Sequence, residues 1–132
     1  MRHYRKAASI LGSLTFGLFS QASYAMPKKP LPQFHCMMLN QTEDEMRDAS
    51  QTIYYRSAPN DSASTNGPAE SVIAVSDSAK ETNGYIPAVN FLNKQVWIKA
   101  SAIRRYVAVS DPALRCQPAI RADGKLGFIF SH

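Results

Sequence analysis

The chain contains 132 residues, with a formal net charge of +5 and two cysteines. A chain of this length folds as one small domain with a modest core, which excludes a large enzyme with separate catalytic and binding domains. The positive charge does not by itself indicate nucleic acid, because three of the basic residues lie among the first six positions.

Residues 1–25 have the three parts of a secretory signal peptide. Residues 1–6 are basic, residues 7–20 form an apolar run, and residues 23–25 place small side chains at the cleavage-site positions. We predict cleavage after Ala25. The alternative is an uncleaved membrane anchor, but this run is short against the roughly twenty apolar residues that span a bilayer. The sequence therefore predicts an exported protein, periplasmic or secreted, without a stable membrane anchor.

Removal of the signal would leave 12 basic and 10 acidic side chains. This near balance argues against nucleic acid as a partner. The distribution is uneven, since seven bases from Lys94 to Lys125 are accompanied only by Asp111 and Asp123. Such a basic C-terminal third is typical either of a solvated surface or of a surface that meets an acidic partner.

The two cysteines, Cys36 and Cys116, lie near the two ends of the predicted mature chain. An even number of cysteines in an exported protein favours a disulfide. A bond between them would close a long loop and would compensate for the small core. If both thiols stayed reduced, they could instead bind a metal together with His35.

The N-terminal region, residues 26–50, is predicted to be an extended arm followed by a short helix. Residues 26–33 contain three prolines and show no periodicity, which indicates a mobile arm. Thr42 and Glu45 have the spacing of a capping box and predict a helix from there to about Ser50.

Short strands are predicted to follow from residue 51 to residue 106. Residues 52–56 are β-branched and aromatic, and residues 71–75 form a second apolar run. Residues 60–68 between them are rich in turn formers, so we expect a loop there. Asn83-Gly84 predicts a tight turn, and the alternating apolar residues after it predict two strands joined by a hairpin loop at residues 93–95.

The C-terminal extension, residues 107–132, is predicted to contain a β-ribbon. Residues 119–122 and 126–129 flank Asp123-Gly124, a dipeptide typical of hairpins. A single helical turn and a further strand are expected just before this extension, within residues 102–109. The spacing of all these strands predicts a mainly β protein, either a small barrel or a sandwich.

Three segments carry a more specific pattern. Residues 54–59 (Y-Y-R-S-A-P), 83–89 (N-G-Y-I-P-A-V) and 96–103 (V-W-I-K-A-S-A-I) are similar in order and spacing to the N-V-R-S-G-P, N-G-W and G-W-V motifs of the bacterial SH3-like domain family. The resemblance implies a small SH3-like barrel over residues 51–106. It also implies a binding function, the recognition of cell-wall peptide or another envelope component through an aromatic-lined groove.

The sequence departs from the family pattern in several places. Ala58, Tyr85 and Val96 stand where the family has glycine, tryptophan and glycine. The segment between Pro59 and Val72 is polar and short, so we do not expect it to hold the extra strand that the family has there.

Strand alternation separates candidate contact residues from core residues. Ile53 and Tyr55 are expected to face the core, which leaves Tyr54 and Arg56 on the surface. The full set of candidate ligand-binding residues adds further aromatic and basic side chains: Tyr54, Arg56, Tyr85, Trp97, Arg104, Arg105 and Tyr106. For Tyr85 and Trp97 the alternative is a role in the core, and the sequence favours that alternative slightly.

No pattern of catalytic residues is found. A hydrolase needs a nucleophile with a base, or a metal with an open position, and the chain shows neither in a typical spacing. The methionines are irregularly spaced, which favours packing over copper(I) binding. We therefore predict a protein without cofactor or metal that binds an envelope component. The alternatives are a small secreted inhibitor or accessory subunit that binds an acidic protein through the basic C-terminal third, and a degenerate hydrolase or metal protein.

Overall fold

A computed structural model describes residues 28–132, so the predicted signal peptide at residues 1–25 lies outside the described residues. The described chain is mainly β and forms two antiparallel sheets. The strands are β1 (Lys28–Pro30), β2 (Phe34–Leu39), β3 (Tyr54–Arg56), β4 (Thr65–Pro68), β5 (Val72–Ser76), β6 (Tyr85–Val89), β7 (Gln95–Lys99), β8 (Ile103–Arg105), β9 (Arg115–Arg121) and β10 (Leu126–Ser131). Within residues 28–132, one helix, α1 (Glu43–Arg47), and two 3-10 turns, Ala49–Gln51 and Ala100–Ala102, complete the elements.

Seven strands form the larger sheet, in the order β4-β3-β7-β6-β5-β2-β8. The edge strands β4 and β8 are not paired with each other, so no closed barrel is found in the described part of the chain. The prediction of a mainly β fold is confirmed, whereas the predicted SH3-like barrel is not.

The larger sheet begins earlier in the chain than the predicted boundary at residue 51. Strand β2 pairs with β5 through Cys36 and Ala74, and with β8 through Leu39 and Ile103. The run F-H-C-M-M-L, residues 34–39, falls in the N-terminal region for which only an extended arm and a short helix were predicted. It is instead an interior strand of the larger sheet, hydrogen-bonded to β5 along one edge and to β8 along the other.

Two segments that were predicted to be irregular are strands. Residues 65–68 form β4, which pairs with β3 at the edge of the larger sheet and is exposed along its whole length. Residues 28–30 form β1, which pairs with β9 and is also exposed. The predictions of a loop and of a mobile arm were wrong here because an edge strand needs only backbone hydrogen bonds and no buried side chain.

The predicted turns occur where glycine and asparagine allowed them. Asn83 and Gly84 both have positive φ, 51° and 79°, and Thr82 and Tyr85 exchange backbone hydrogen bonds across them. The hairpin between β6 and β7 is antiparallel, with a loop of residues 90–94. At Thr42 the side chain accepts from the amide of Glu45, and the Glu45 carboxylate accepts from the amide of Thr42. This capping box starts α1, which ends at Arg47 rather than near Ser50.

The core lies on one face of the larger sheet. Tyr55, Ile73, Val96 and Ile98 are at most 1% exposed and pack together with four further buried residues, Leu39, Val75, Ala88 and Ile103. Burial of these side chains is the main source of stability for a chain of this size.

The smaller sheet has the order β1-β9-β10 and is joined covalently to the larger one. Cys36 on β2 and Cys116 on β9 form a disulfide, with 6.1 Å between their Cα atoms. The predicted disulfide is thereby confirmed. The predicted C-terminal ribbon is β9-β10, and its hairpin turns at Gly124, where φ is +80°.

Candidate functional site

The face of the larger sheet opposite the core brings together four of the seven predicted site residues. Arg56 on β3 lies directly opposite Trp97 on β7, and Trp97 lies opposite Pro87 on β6. Directly opposed residues of antiparallel strands share a face. Tyr54 lies two residues before Arg56 on β3, and Tyr85 lies two residues before Pro87 on β6. Side chains two residues apart on a strand point to the same face, so both tyrosines share that face as well. We call the surface formed by Tyr54, Arg56, Tyr85, Pro87 and Trp97 the Trp97 face.

The alternation predicted for β3 is confirmed. Tyr55 is 1% exposed and Ile53 packs against the core, while Tyr54 is 44% exposed. Arg56 is half-buried, and its Nη1 donates to the carbonyl oxygen of Ala63 at 3.0 Å. Its guanidinium is thereby held against the loop between β3 and β4.

Trp97 lines a cleft of about 450 Å³ on this face. The other walls come from β2, from the connection after β5 and from the hairpin β6-β7: Phe34, Lys80, Pro87, Val89 and Gln95. The cleft thus offers an indole ring and aliphatic surface together with one ammonium and one amide group. Such a mixture is typical of a recognition site in which apolar surface gives affinity and a few polar groups give orientation.

Tyr85 is on this face, but its side chain is buried. The loop between β3 and β4 folds over it and leaves it 4% exposed. Its hydroxyl donates to the carboxylate of Asp61, whose Oδ1 also lies 3.6 Å from the ammonium of Lys99. The hydrogen bond from Tyr85, followed by the charge of Lys99, lowers the pKa of Asp61, and the same bond raises the pKa of Tyr85. Tyr85 is thus a buried aromatic residue outside the main core cluster, and its role as a ligand contact stays a prediction.

The other three predicted residues lie at the opposite edge of the larger sheet. Arg104 and Arg105 are exposed on β8, which is separated from β6 by β5 and β2. Tyr106 follows them, and its ring lies 5.9 Å from that of Phe130 on β10. Arg105 and Tyr106 line a separate cleft of about 400 Å³ beside the disulfide. The seven predicted residues therefore do not form one patch.

Sequence reasoning missed the residues that complete the cleft. Gln95 and Val89 occupy the Trp97 face because they continue the alternation of β7 and β6, so the same pattern that placed Trp97 could have placed them. Phe34 had no such signal, because it reaches the cleft through the pairing of β2 with β5, which is distant in sequence. Lys80 had none either, because it lies in the irregular connection after β5. Asp61, which bonds the loop between β3 and β4 to the hydroxyl of Tyr85, also had no signal in the sequence.

The described chain shows no metal-binding group. Within residues 28–132, no three histidine, cysteine or carboxylate side chains come together as a metal-binding group. His35 lies beside the disulfide, but its Nδ1 is hydrogen-bonded to Asp77 at 2.7 Å, and both cysteines are oxidised. No helix of residues 28–132 has the length and apolar content needed to cross a bilayer.

Comparison of the chain with protein-family models, with curated proteins and with solved structures finds no match.

Proposed function

We propose that this chain is an exported, non-enzymatic SH3-like binding module that recognises a cell-envelope component, peptidoglycan peptide or an envelope protein, through the Trp97 face. The observation that carries the proposal is the juxtaposition of the three motif segments. Residues 54–59 are distant in sequence from residues 83–89 and 96–103, yet the three segments contribute the neighbouring strands β3, β7 and β6, with Trp97 between Arg56 and Pro87.

The composition of the Trp97 face supports a binding role. Tyr54 is exposed, Trp97 lines the cleft, and Arg56 lies beside it on the same face. Rigid aromatic rings supply large contact area at a small cost in conformational entropy, and arginine supplies several donors. Both are enriched where binding energy concentrates. Lys80 at the cleft gives a carboxylate of a peptide ligand a cationic partner.

Export is supported by the disulfide. Disulfides persist in oxidising compartments and are rare in the reducing cytosol. The bond between Cys36 and Cys116 therefore agrees with the predicted signal peptide. Intact mass of the protein purified from culture, with and without reductant, tests both features. A protein that retains residues 1–25, or that carries two free thiols, contradicts export.

Binding to purified sacculi tests the proposed ligand class. The wild-type protein is expected to co-sediment with sacculi, and Trp97→Ala is expected to weaken binding by about tenfold or more. Tyr54→Ala provides a second variant, because its ring is exposed and its removal leaves the core intact. Tyr106→Ala is the matched control, an aromatic residue outside the Trp97 face.

Three results would contradict the proposal. The wild-type protein does not bind sacculi or any envelope protein, or Trp97→Ala and Tyr54→Ala bind as well as Tyr106→Ala, or the protein releases soluble fragments from sacculi and is thus an enzyme. Circular dichroism of each variant shows that the comparison is made between folded proteins.

A second candidate function is the binding of an acidic protein by the smaller sheet, as an inhibitor or accessory subunit. One observation favours it: the smaller sheet and its hairpin turn carry five basic residues, Lys28, Lys29, Arg115, Arg121 and Lys125. The one acid within this unit, Asp123, is paired with Arg121 at 3.0 Å. Arg121 and Lys125 also flank the ring of Phe91, at 5.7 and 5.3 Å, which collects positive charge beside an exposed aromatic ring.

A further inference from the structure

Strand β10 is an edge strand whose outer backbone groups point away from its neighbour β9. The backbone N–H of Arg121 donates to the carbonyl oxygen of Lys125, so these two residues form a hydrogen-bonded pair. Hydrogen-bonded and non-hydrogen-bonded pairs then alternate along the β9-β10 hairpin. Leu126, Phe128 and Phe130 belong to the non-hydrogen-bonded pairs, so their N–H and C=O groups are directed away from β9. The amide of Leu126 confirms the direction, because it donates to the carbonyl of Phe91 outside the hairpin at 3.0 Å.

Beyond Leu126 this outer edge has hydrogen-bonding capacity to spare. The carbonyl of Phe128 accepts from the ammonium of Lys28 at 2.7 Å. The amide of Phe128, and both the amide and the carbonyl of Phe130, make no bond to another residue of the described chain along this edge. Unpaired groups of this kind are a template for an additional strand.

The three other sheet edges carry features that oppose strand addition, and β10 does not. β1 has Lys28, Lys29 and Pro30, β4 has Gly67 and Pro68, and β8 is three residues long with two arginines. Lysine, proline and short length are the usual protections of an edge. β10, with the sequence L-G-F-I-F-S, has six residues and neither charge nor proline.

Two cationic side chains lie over β10 at Gly127, and one of them, Lys28, reaches this edge. Gly127 leaves room for them, because a Cβ at that position would lie 2.9 Å from Cγ of Arg121 and 3.5 Å from Cε of Lys28. The ammonium of Lys28 consequently reaches the outward carbonyl of Phe128. Positive charge is therefore present at the outer edge itself, and not only on the face of the sheet.

We propose that the outer edge of β10 binds an extended acidic segment of a partner protein by strand addition, with backbone bonds to Phe128 and Phe130 and with carboxylates next to Lys28 and Arg121. This inference deepens the second candidate function and rests on it. The charge determines the occupant: two copies of this chain paired through β10 would bring two basic sheets side by side, whereas an acidic strand neutralises them. Strand addition gives affinity through the main chain and selectivity through alternate side chains.

Synthetic peptides separate the backbone contribution from the charge contribution. The probe is a fluorescently labelled peptide of alternating glutamate and valine, and binding is measured by anisotropy at low salt. One matched peptide has lysine in place of glutamate. A second keeps glutamate but is N-methylated at every residue, so that neither of its edges can donate hydrogen bonds. We expect binding of the first peptide only, together with slowed hydrogen exchange at the amides of Phe128 and Phe130.

Variants test the same edge from the side of the protein. Phe130→Pro removes the outward amide, whereas Phe130→Ala removes the same ring and keeps that amide. We expect Phe130→Pro to bind the acidic peptide about tenfold more weakly than Phe130→Ala, since one backbone hydrogen bond is lost. Lys28→Glu is expected to weaken binding as well, and Arg104→Glu, on the distant strand β8, serves as its charge control.

The possible results distinguish this inference from the function on which it rests. If the N-methylated peptide binds as well as the unmodified one, the basic surface binds acids but strand addition is wrong. If the lysine peptide binds equally, the second candidate function fails too. If the protein alone sediments as a dimer that Phe130→Pro converts to a monomer, and the acidic peptide does not bind, then a second copy occupies the edge and the proposal is overturned.

Discussion

The two sheets of this protein are stabilised in different ways. The larger sheet buries Tyr55, Ile73 and Ile98 almost completely on one face. The smaller sheet buries little beyond Pro118, Ala119 and Leu126, and two of these three are small. A three-stranded sheet with so little apolar surface is marginal by itself in water.

The disulfide compensates for this difference, because it connects the smaller sheet to an interior strand of the larger one. Cys36 lies on β2, between β5 and β8, and is therefore held by backbone bonds on both sides. The comparison teaches that the larger sheet depends on its hydrophobic core. The smaller sheet depends on the disulfide, on its own hairpin and on a few contacts with the larger sheet, such as the bond from Leu126 to Phe91. The following predictions test this division.

The largest effect is expected from removal of the disulfide. The bond closes a loop with a sequence separation of 80. Replacement of both cysteines by alanine is expected to lower the free energy of unfolding by about 4.5 kcal/mol, on the chain-entropy model. Hydrogen exchange should show that the amides of β9 and β10 lose protection before those of β6 and β7. Equal loss in both sheets would mean that they are not stabilised separately.

A core substitution is expected to act on the larger sheet. Ile98 is fully buried, so Ile98→Ala should cost about 3 kcal/mol through lost contacts and a residual cavity. Trp97 is the only tryptophan of the chain, and its fluorescence reports unfolding of this sheet. Leu126→Ala, in the smaller sheet, is the comparison variant. A greater loss of stability in Leu126→Ala would reverse the roles assigned to the two sheets.

Tyr55→Phe should have a smaller effect that depends on pH. The hydroxyl of Tyr55 donates to Glu70, whose other carboxylate oxygen accepts from the amide of Phe91 at 2.8 Å. Loss of this hydrogen bond is expected to cost about 1 to 2 kcal/mol at neutral pH.

The pH dependence follows from the phenol proton. Burial, followed by the bond to Glu70, raises the pKa of Tyr55, so the folded protein holds the proton more tightly than the unfolded chain does. This contribution to stability is complete below a pH of about 10, the ordinary pKa of tyrosine, and declines as the pH rises above it. Denaturant titrations at a series of pH values should therefore show a steeper alkaline loss of stability in the wild-type protein than in Tyr55→Phe. Parallel curves would contradict this assignment.

Two matched glycine substitutions are expected to give the smallest effects. Gly84 and Gly124 have φ of 79° and 80°, and a Cβ at either position would meet no atom within 4 Å. Alanine should therefore cost about 1 kcal/mol at each through backbone strain alone. Thermal unfolding combined with hydrogen exchange is expected to localise the loss to the β9-β10 hairpin for Gly124→Ala. A loss spread over β6 and β7 would indicate that the hairpin is not an independent unit.

Local chemistry made part of the fold predictable. Asn83-Gly84 and Asp123-Gly124 marked turns because these residues accept positive φ, and the alternation in residues 53–56 separated the core from the surface. The pairing of the cysteines could be deduced because only two are present. Each of these inferences needed only neighbouring residues or a count.

Long-range pairing was not predictable in the same way. Nothing in residues 34–39 indicates that they insert between β5, which begins at Val72, and β8, which begins at Ile103. The exposed strands β1 and β4 have no hydrophobic pattern, since their stabilisation comes from backbone bonds. The same holds for the candidate site. Trp97 and Arg56 could be chosen from the sequence as residue types common in binding sites, but their direct opposition results from the long-range pairing of β3 with β7.

The presence of just two cysteines also affects how the protein matures. A single chain with two thiols has one intramolecular oxidation product, so shuffling among wrong bridges within the molecule is impossible. The competing product is a covalent dimer, whose formation rises with protein concentration while that of the correct bridge does not. If the reduced protein is diluted before it is oxidised, the yield of disulfide-bonded monomer should accordingly be high. A disulfide isomerase should raise that yield little.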